Sequence, residues 1–508
     1  MHLPDLLLTL EYEGIELSVK NGALSYRAPL GAFTDALLEE VKRNKEDLIS
    51  LIERGTVHIQ HRSSDDRAVG ELPLTPWHGW YLETFNPVEH RWSVRCQVHL
   101  GEDASFDLIK KSVHLTMNRY DTFRQRLYRK QDGEWALRML STPGDPKIIL
   151  CDVTQNAEKW KLDIHKDIER TLSIVDGPVI HVALCKNKER GDDMVVSMHH
   201  NIVDAYSAGP IIADIIDVYK LLSKSQAIDN KIKIECSYEN YTKKLDKYMS
   251  SPMFFAKSIS YWSDFINAKT PRIPIDFFDG RHTVNNSKIV ALYIGVDILS
   301  SKNTSFVNDS LLIATVAAIA HWSGHPLVAI DVEHHGRGGH IPRVDFLQVV
   351  GSTTFKFPLW FEIEPDCLSS PKLFDALRKR ITDVTQYGLG YGFLRYLHPD
   401  QGIRSDFQKM QRPQVLFNNR ATLFSKRETH EKESVAPHRK SGIFKVEPHG
   451  DPELHDPYSH ELLIECDSAL GGIVISFIYS YKIHRDETVI ELANAFLSKL
   501  QRISEACV

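Results

Sequence analysis

The residues best suited to proton chemistry fall in one short stretch, Met198-His199-His200-Asn201-Ile202-Val203-Asp204-Ala205-Tyr206-Ser207. An imidazole gains or loses a proton near neutral pH, so a paired histidine is a natural general acid–base. Neighbouring side chains leave the backbone in different directions, so one ring can face a cavity while the other packs inside. Asp204, four positions after His200, can fold back to fix the loop by pairing with an arginine. A second cluster, Glu333-His334-His335-Gly336-Arg337 with His340, puts a carboxylate and imidazoles beside a glycine. It has no HExxH or comparable ligand spacing, so no metal is expected there. A histidine-rich loop without chemistry is the bland alternative for the first stretch, and the rest of the chain weighs against it.

These residues need elements to hold them. Met194–Met198 is an apolar run that reads as a buried strand, and Ile211, Ile212, Ile215, Ile216, Tyr219 and Leu222 follow at helical spacing. The junction of a strand end and a helix start is a usual place for catalytic groups. Val179–Cys185 and Met194–Met198 read as paired strands across the polar loop 186–193, which places the histidine loop at a sheet edge. Arg95–Leu100 reads as another strand. Phe106, Ile109, Val113 and Met117 form a helix face running into Arg119-Tyr120-Asp121-Thr122-Phe123-Arg124. A guanidinium is the best partner for a buried carboxylate, so Arg119 is expected to be one partner of Asp204. Trp77, Trp80, Tyr81 and Phe85 stand at helical spacing and read as core. Further on, Leu311–Ile319 reads as a buried helix, Leu327–Val332 as a strand ending at Glu333, 471–481 as a strand, and Val489–Leu500 as one face of a final helix. The charged run 425–445 reads as an exposed loop, and 223–245 as the boundary between two lobes.

The first 54 residues read as a separate unit. Leu6–Leu10 supplies a helix face. Ile15–Val19 and Ala23–Tyr26 alternate as strands around Asn21-Gly22, a strong hairpin signal. Thr34 can cap a helix carrying Leu37, Leu38, Val41, Leu48, Ile49 and Ile52. So short a unit is marginal alone, and its open strand edge can take a partner peptide as an added strand. Residues 55–70 read as a linker.

Composition narrows the rest. A chain of 508 residues with 42% hydrophobic and 25% charged residues is that of an ordinary globular protein. The net charge of −6 argues against nucleic-acid binding. The N-terminus lacks a signal-peptide pattern, and no apolar run approaches the roughly 18 residues of a membrane span. Seven scattered cysteines without a CxxC pair suit reduced thiols in a cytoplasmic protein.

The histidine stretch resembles the HHxxxDG signature of nonribosomal peptide synthetase condensation domains, shared with acyltransferases of the chloramphenicol acetyltransferase type; Ala205 stands where glycine is usual. Arg119–Leu127 resembles the family's RHExLRxxF motif, with Tyr120 and Asp121 in place of His and Glu. Tyr238 and Tyr241, Tyr261-Trp262, Ile273–Asp276 and Val350–Phe355 match later motifs. Glu333–Arg337 resembles the EGHGR motif of epimerisation domains, as do Tyr391–Tyr396 and Val415–Asn419. The first 54 residues resemble docking domains of the tubulysin-synthetase type, through Gly14–Leu17, Asn21-Gly22 and Tyr26–Gly31.

The resemblance implies an α/β fold. Two chloramphenicol-acetyltransferase-like lobes, 71–230 and 231–508, would meet in a V as a pseudo-dimer, after a small α+β docking domain, 1–54. It implies His200 in a reaction channel with His199 beside it, Asp204 mainly structural, and support from Arg119, Arg124, Ser207, Glu333 and Arg337. Docking to the C-terminal tail of an upstream synthetase would use Lys20, Leu24, Tyr26 and Arg27. No cofactor is expected to be bound, since substrates would arrive on phosphopantetheine arms of partner carrier domains. No carrier, adenylation or thioesterase region is seen. The layout looks like stand-alone terminal condensation proteins of rhabdopeptide-type synthetases, which release peptides as amides of small amines. Epimerisation by His200 and Glu333 is the alternative, and a non-catalytic recruitment domain the third reading.

Overall fold

The structure, a computed structural model, describes residues 16–20, 23–27, 34–46, 48–49, 69–90, 92–153, 167, 170–225, 237–278, 280–295, 304–337, 346–363, 371–421, 442–446, 457–469 and 472–506. The chain separates into an N-terminal unit and a large body.

In the N-terminal unit, β1 (Glu16–Lys20) and β2 (Ala23–Arg27) pair antiparallel from Glu16↔Arg27 to Lys20↔Ala23. The expected hairpin is therefore present. Its turn at Asn21-Gly22, the expected helix at Leu6–Leu10 and the side chains of Lys20, Tyr26 and Arg27 lie outside the described residues; Leu24 is half-buried. Thr34 caps α1 (Asp35–Arg43), its hydroxyl accepting from Leu37 N at 3.3 Å. Leu37, Val41 and Leu48 are buried, as their spacing predicts.

In the body, the first lobe runs β3 (Gly70–Leu72), α2 (Pro76–Thr84), β4 (Ser93–Gly101), α3 (Phe106–Arg119), β5 (Gln125–Arg129), β6 (Trp135–Met139), β7 (Lys147–Asp152), β8 (Ile180–Lys186), β9 (Asp192–His199) and α4 (Ala205–Ser223). Its main sheet has the order β4-β9-β8-β7, with a small β3-β6-β5 sheet beside it. Because both faces of β9 are covered, Met194, Val195, Val196 and Met198 are all buried and the strand reads as an unbroken apolar run. Ile109, Val113 and Met117 of α3 share a core with Ile211 and Ile215 of α4. The second lobe runs α5 (Tyr238–Met249), α6 (Pro252–Trp262), β10 (Ser287–Gly295), α7 (Thr304–Ser323), β11 (Leu327–His334), β12 (Phe355–Glu362), α8 (Pro371–Gly392), α9 (Gln401–Gln408), β13 (Val415–Asn419), β14 (Gly442–Val446), β15 (Leu462–Ala469), β16 (Gly472–Ser480) and α10 (Asp486–Ala506). Its sheet has the order β12-β11-β13-β15-β16-β10-β14.

Three expectations are corrected. β9 lies between β4 and β8, so the histidines stand at the end of a central strand and not at a sheet edge. Residues 442–445, expected in an exposed loop ending there, belong to β14, which pairs antiparallel with β10 from Ile289↔Val446 to Tyr293↔Gly442. Phe306–Ser323 is an 18-residue stretch of mean hydropathy 1.2, long and apolar enough to cross a membrane by composition alone. Asn308, Asp309, Ser310 and Thr315 break its pattern in the sequence. Leu311–Ala320 are buried within the protein, as in a core helix.

Candidate active site

The end of β9 is fixed by backbone hydrogen bonds. His199 N donates to Val179 O and His200 N to Trp92 O, both at 2.9 Å. The Thr122 hydroxyl donates to Ile202 O and ties the following turn to the end of α3. The two imidazoles then part, as expected of neighbours at a strand end. His199 is fully buried, accepts from Asn201 N at 3.2 Å and meets Tyr81 edge-on. His200 stacks on Trp77, ring centroids 4.9 Å apart, and lies 4.3 Å from the ring of Trp92. It lines a cavity of about 790 Å³ walled by both lobes, with Trp92, Glu333, Arg337, Lys356 and Asn418. Its Nδ1 is buried with no partner from another described residue, and a hydrogen bond to its own backbone favours the protonated ring. Burial holds the His200 proton affinity below the usual 6.5, Lys356 acts in the same sense, and Glu333 and Asp204 oppose it. The ring is therefore neutral at neutral pH and able to accept a proton.

Asp204 caps α4, its Oδ1 accepting from Ser207 N at 2.9 Å. Its partner is Arg337, not Arg119. Arg337 Nη1 donates to Oδ2 at 2.6 Å and Nη2 to Oδ1 at 3.0 Å, both groups being buried. Thr353 N adds a hydrogen bond to Oδ2 at 3.1 Å. Burial alone would raise the Asp204 carboxyl, but the guanidinium and the backbone donors hold it below its usual 3.8. Arg337 Nη2 also donates to Ser207 Oγ, Val349 O and Gly351 O. Arg119 instead lies 3.4 Å from Asp214, further along α4 and partly exposed, and Tyr120 OH donates to the same carboxylate. The sequence offered no way to see that a guanidinium 133 residues after Asp204 would arrive first. Arg124 donates to Leu140 O at 3.0 Å and acts away from the cavity.

The turn that delivers Arg337 depends on Gly336. Its φ is +67°, and an added Cβ would lie 1.8 Å from Thr353 O. Tyr238 and Tyr241 hold the opposing segment by donating to Ser352 O and Thr353 O. The imidazoles of His334 and His335 are used locally, accepting from Gly336 N and Arg337 N at 3.0 Å each. His340 lies outside the described residues.

Glu333, at the end of β11, faces Lys356 across the β11–β12 ladder, Oε2 to Nζ 3.2 Å, and accepts from Asn418 Nδ2 at 3.3 Å. Lys356 is buried beneath indoles: its Nζ is 3.4 Å from the Trp80 ring centroid, 5.4 Å from that of Trp77 and 5.3 Å from that of Trp92. Sequence reasoning missed Lys356 and Trp92, quoted Thr353 and Asn418 only within motif segments without a role, and took Trp77 and Trp80 as core alone. One signal for Lys356 was present: a single cation inside Phe355-Lys356-Phe357-Pro358-Leu359-Trp360-Phe361.

Two α/β lobes share a cavity with a histidine on its wall and a buried ion pair locking its loop. The Condensation domain family model matches residues 69–508, and the chain belongs to that family of amide-forming acyltransferases. Residues 4–53 match the TubC N-terminal docking domain model. The chain is 24% identical to Tyrocidine synthase 2 of Brevibacillus parabrevis, covering 88% of this chain and 12% of that protein. It is 23% identical to Bacitracin synthase 2 of Bacillus licheniformis, covering 86% and 16%. It thus spans a small part of the length of these relatives. The epimerization domain from the third module of tyrocidine synthetase B shares the fold at a TM-score of 0.71 and 22% identity, over 87% of this chain and 98% of that one. A condensation domain that mediates chain release from the enacyloxin polyketide synthase matches 99% of this chain and 95% of its own, at a TM-score of 0.59 and 16% identity. A cyclization–docking bidomain from Sorangium cellulosum matches 99% of each chain, at 0.62 and 15%.

Proposed function

We propose that the body joins a carrier-bound peptidyl thioester to an amine, and that the acceptor is a free small amine, so that the peptide leaves as an amide. The observation that carries this reading is the His200 imidazole on the wall of a cavity of about 790 Å³, where burial holds its proton affinity below the usual 6.5. The amine nitrogen attacks the thioester carbonyl while His200 accepts the amine proton or orients the nucleophile. The C–N bond forms, the C–S bond breaks, and the proton passes to the departing phosphopantetheine thiolate. General-base help is worth about 10²–10⁴ in rate, and alignment of the two reactants adds to it. Asp204 and Arg337 touch neither reactant in this scheme; they hold the loop. The arms come from partner carrier domains, brought by an upstream synthetase whose C-terminal tail docks on the β1–β2 hairpin. Lys20, Leu24, Tyr26 and Arg27 lie on its second strand or beside its turn and supply the contacts.

Epimerisation is the second reading, favoured by Glu333 lining the same cavity as His200. Against it, this carboxylate is already engaged by Lys356 and Asn418, which makes it a poor base for an α-proton. The test is incubation with a peptidyl-carrier protein and small amines in deuterated water. An amide product supports condensation; deuterium at the α-carbon without release overturns it.

A further inference from the structure

Trp77 and Trp92 each touch two charged or chargeable groups. They meet the His200 imidazole at 4.9 and 4.3 Å. They also meet the Lys356 ammonium at 5.4 and 5.3 Å, and Trp80 meets it at 3.4 Å. The indoles and His200 belong to the first lobe. Lys356 belongs to β12 of the second, where its flanking residues Phe355 and Phe357 are buried. An isolated buried ammonium is costly, and here three indole faces and the Glu333 carboxylate stand in for water. Glu333 is held in turn by Asn418, so Lys356, Glu333 and Asn418 form a row across β12, β11 and β13. Packing does not require a cation at this point; an apolar side chain of the same length would fill the space without desolvation. We infer that Lys356 is a positioning residue for His200: from the second lobe it clamps the Trp77 and Trp92 rings, which lie 5.5 Å apart and both pack against the imidazole, and fixes the charge beside it. This deepens the proposed amide-forming role of His200 and rests on it.

The charged groups facing His200 are Glu333 from β11, Lys356 from β12 and Asp204 from the β9–α4 loop, the last already neutralised by Arg337. Lys356→Met removes the cation and leaves Glu333 unopposed; Glu333→Gln removes the anion and leaves the cation; Lys356→Arg keeps the charge. The experiment follows the His200 ring by NMR of histidine-labelled protein, identified by its loss in His200→Gln, alongside amide formation against pH. The expected result is that Lys356→Met moves the His200 titration and the acidic limb of the rate upward. Glu333→Gln moves both downward, and Lys356→Arg restores the wild-type values. If Lys356→Met lowers thermal stability but neither Lys356→Met nor Glu333→Gln moves the titration, the residue is structural only and the inference is overturned. Should Lys356→Met fail to fold, an unmoved titration in Glu333→Gln overturns it equally. If the titration moves as stated while no amide forms at any pH, the coupling stands and the amide-forming reading falls.

Discussion

Arg337→Met tests the most consequential contact of the site. In the folded protein Arg337 gives two hydrogen bonds to the Asp204 carboxylate and three more to Ser207 Oγ, Val349 O and Gly351 O. Methionine fills similar space and donates nothing, so Asp204 keeps only Thr353 and Ser207 as donors. Removing one partner of a buried pair costs about 3–5 kcal/mol, because the other charge is left stranded. Arg119→Met, at a single longer contact to an Asp214 carboxylate that Tyr120 OH also holds, should cost clearly less than Arg337→Met. The pH dependence carries a sign as well. With Arg337 present the Asp204 carboxyl lies below its usual 3.8, so the pair stabilises the fold above that value and loses its contribution as the pH falls below it. Without Arg337, burial dominates and the folded value rises above 3.8, so the variant loses stability as pH rises from there. The gap between wild type and variant should therefore widen from mildly acidic to neutral pH. Urea denaturation at both pH values, followed by fluorescence and circular dichroism, measures it, and Asp204→Asn with Arg337→Met should be less damaged than the two single losses added together. If Arg119→Met costs as much as Arg337→Met, or the gap does not widen, the assignment of Arg337 is wrong.

His200→Ala should lower amide formation by about 10²–10⁴ and leave the melting temperature near wild type; a parallel loss of stability would make the histidine structural. The wild-type rate should fall on acidification only below 6.5, since the His200 proton affinity is depressed and the base is lost only as pH drops through the folded value; an acidic limb above 6.5 would contradict this. Gly336→Ala should cost about 1–2 kcal/mol for the left-handed backbone alone, more for the approach to Thr353 O, and should reduce turnover by displacing Arg337; normal activity and stability would refute the close approach.

The histidine stretch was legible because its chemistry is local. Strand, loop and helix cap are written within Met194–Ile216, and the cap by Asp204 needs only Ser207 three residues on. The docking hairpin and its capped helix were legible for the same reason. What escaped is long-range. Arg119 is the right chemical type, yet Asp214, further along α4, takes it, and Arg337 arrives from the other lobe on a turn only Gly336 permits. Trp77, Trp80 and Trp92 have core spacing, and nothing within α2 shows that a lysine of β12 will sit on their faces. The apolar α7 was underestimated because a few polar residues break its run, although buried neighbours cover it in the fold.

The most direct test of the central claim is mass spectrometry of a reconstituted mixture in deuterated water, containing this protein, an upstream peptidyl-carrier protein with its C-terminal tail, and small amines. A His200-dependent product is expected, with a mass equal to the peptidyl group joined to the amine with loss of the carrier thiol. Deuterium entering the α-position of a peptide still bound to its carrier, with no amide formed, would contradict it.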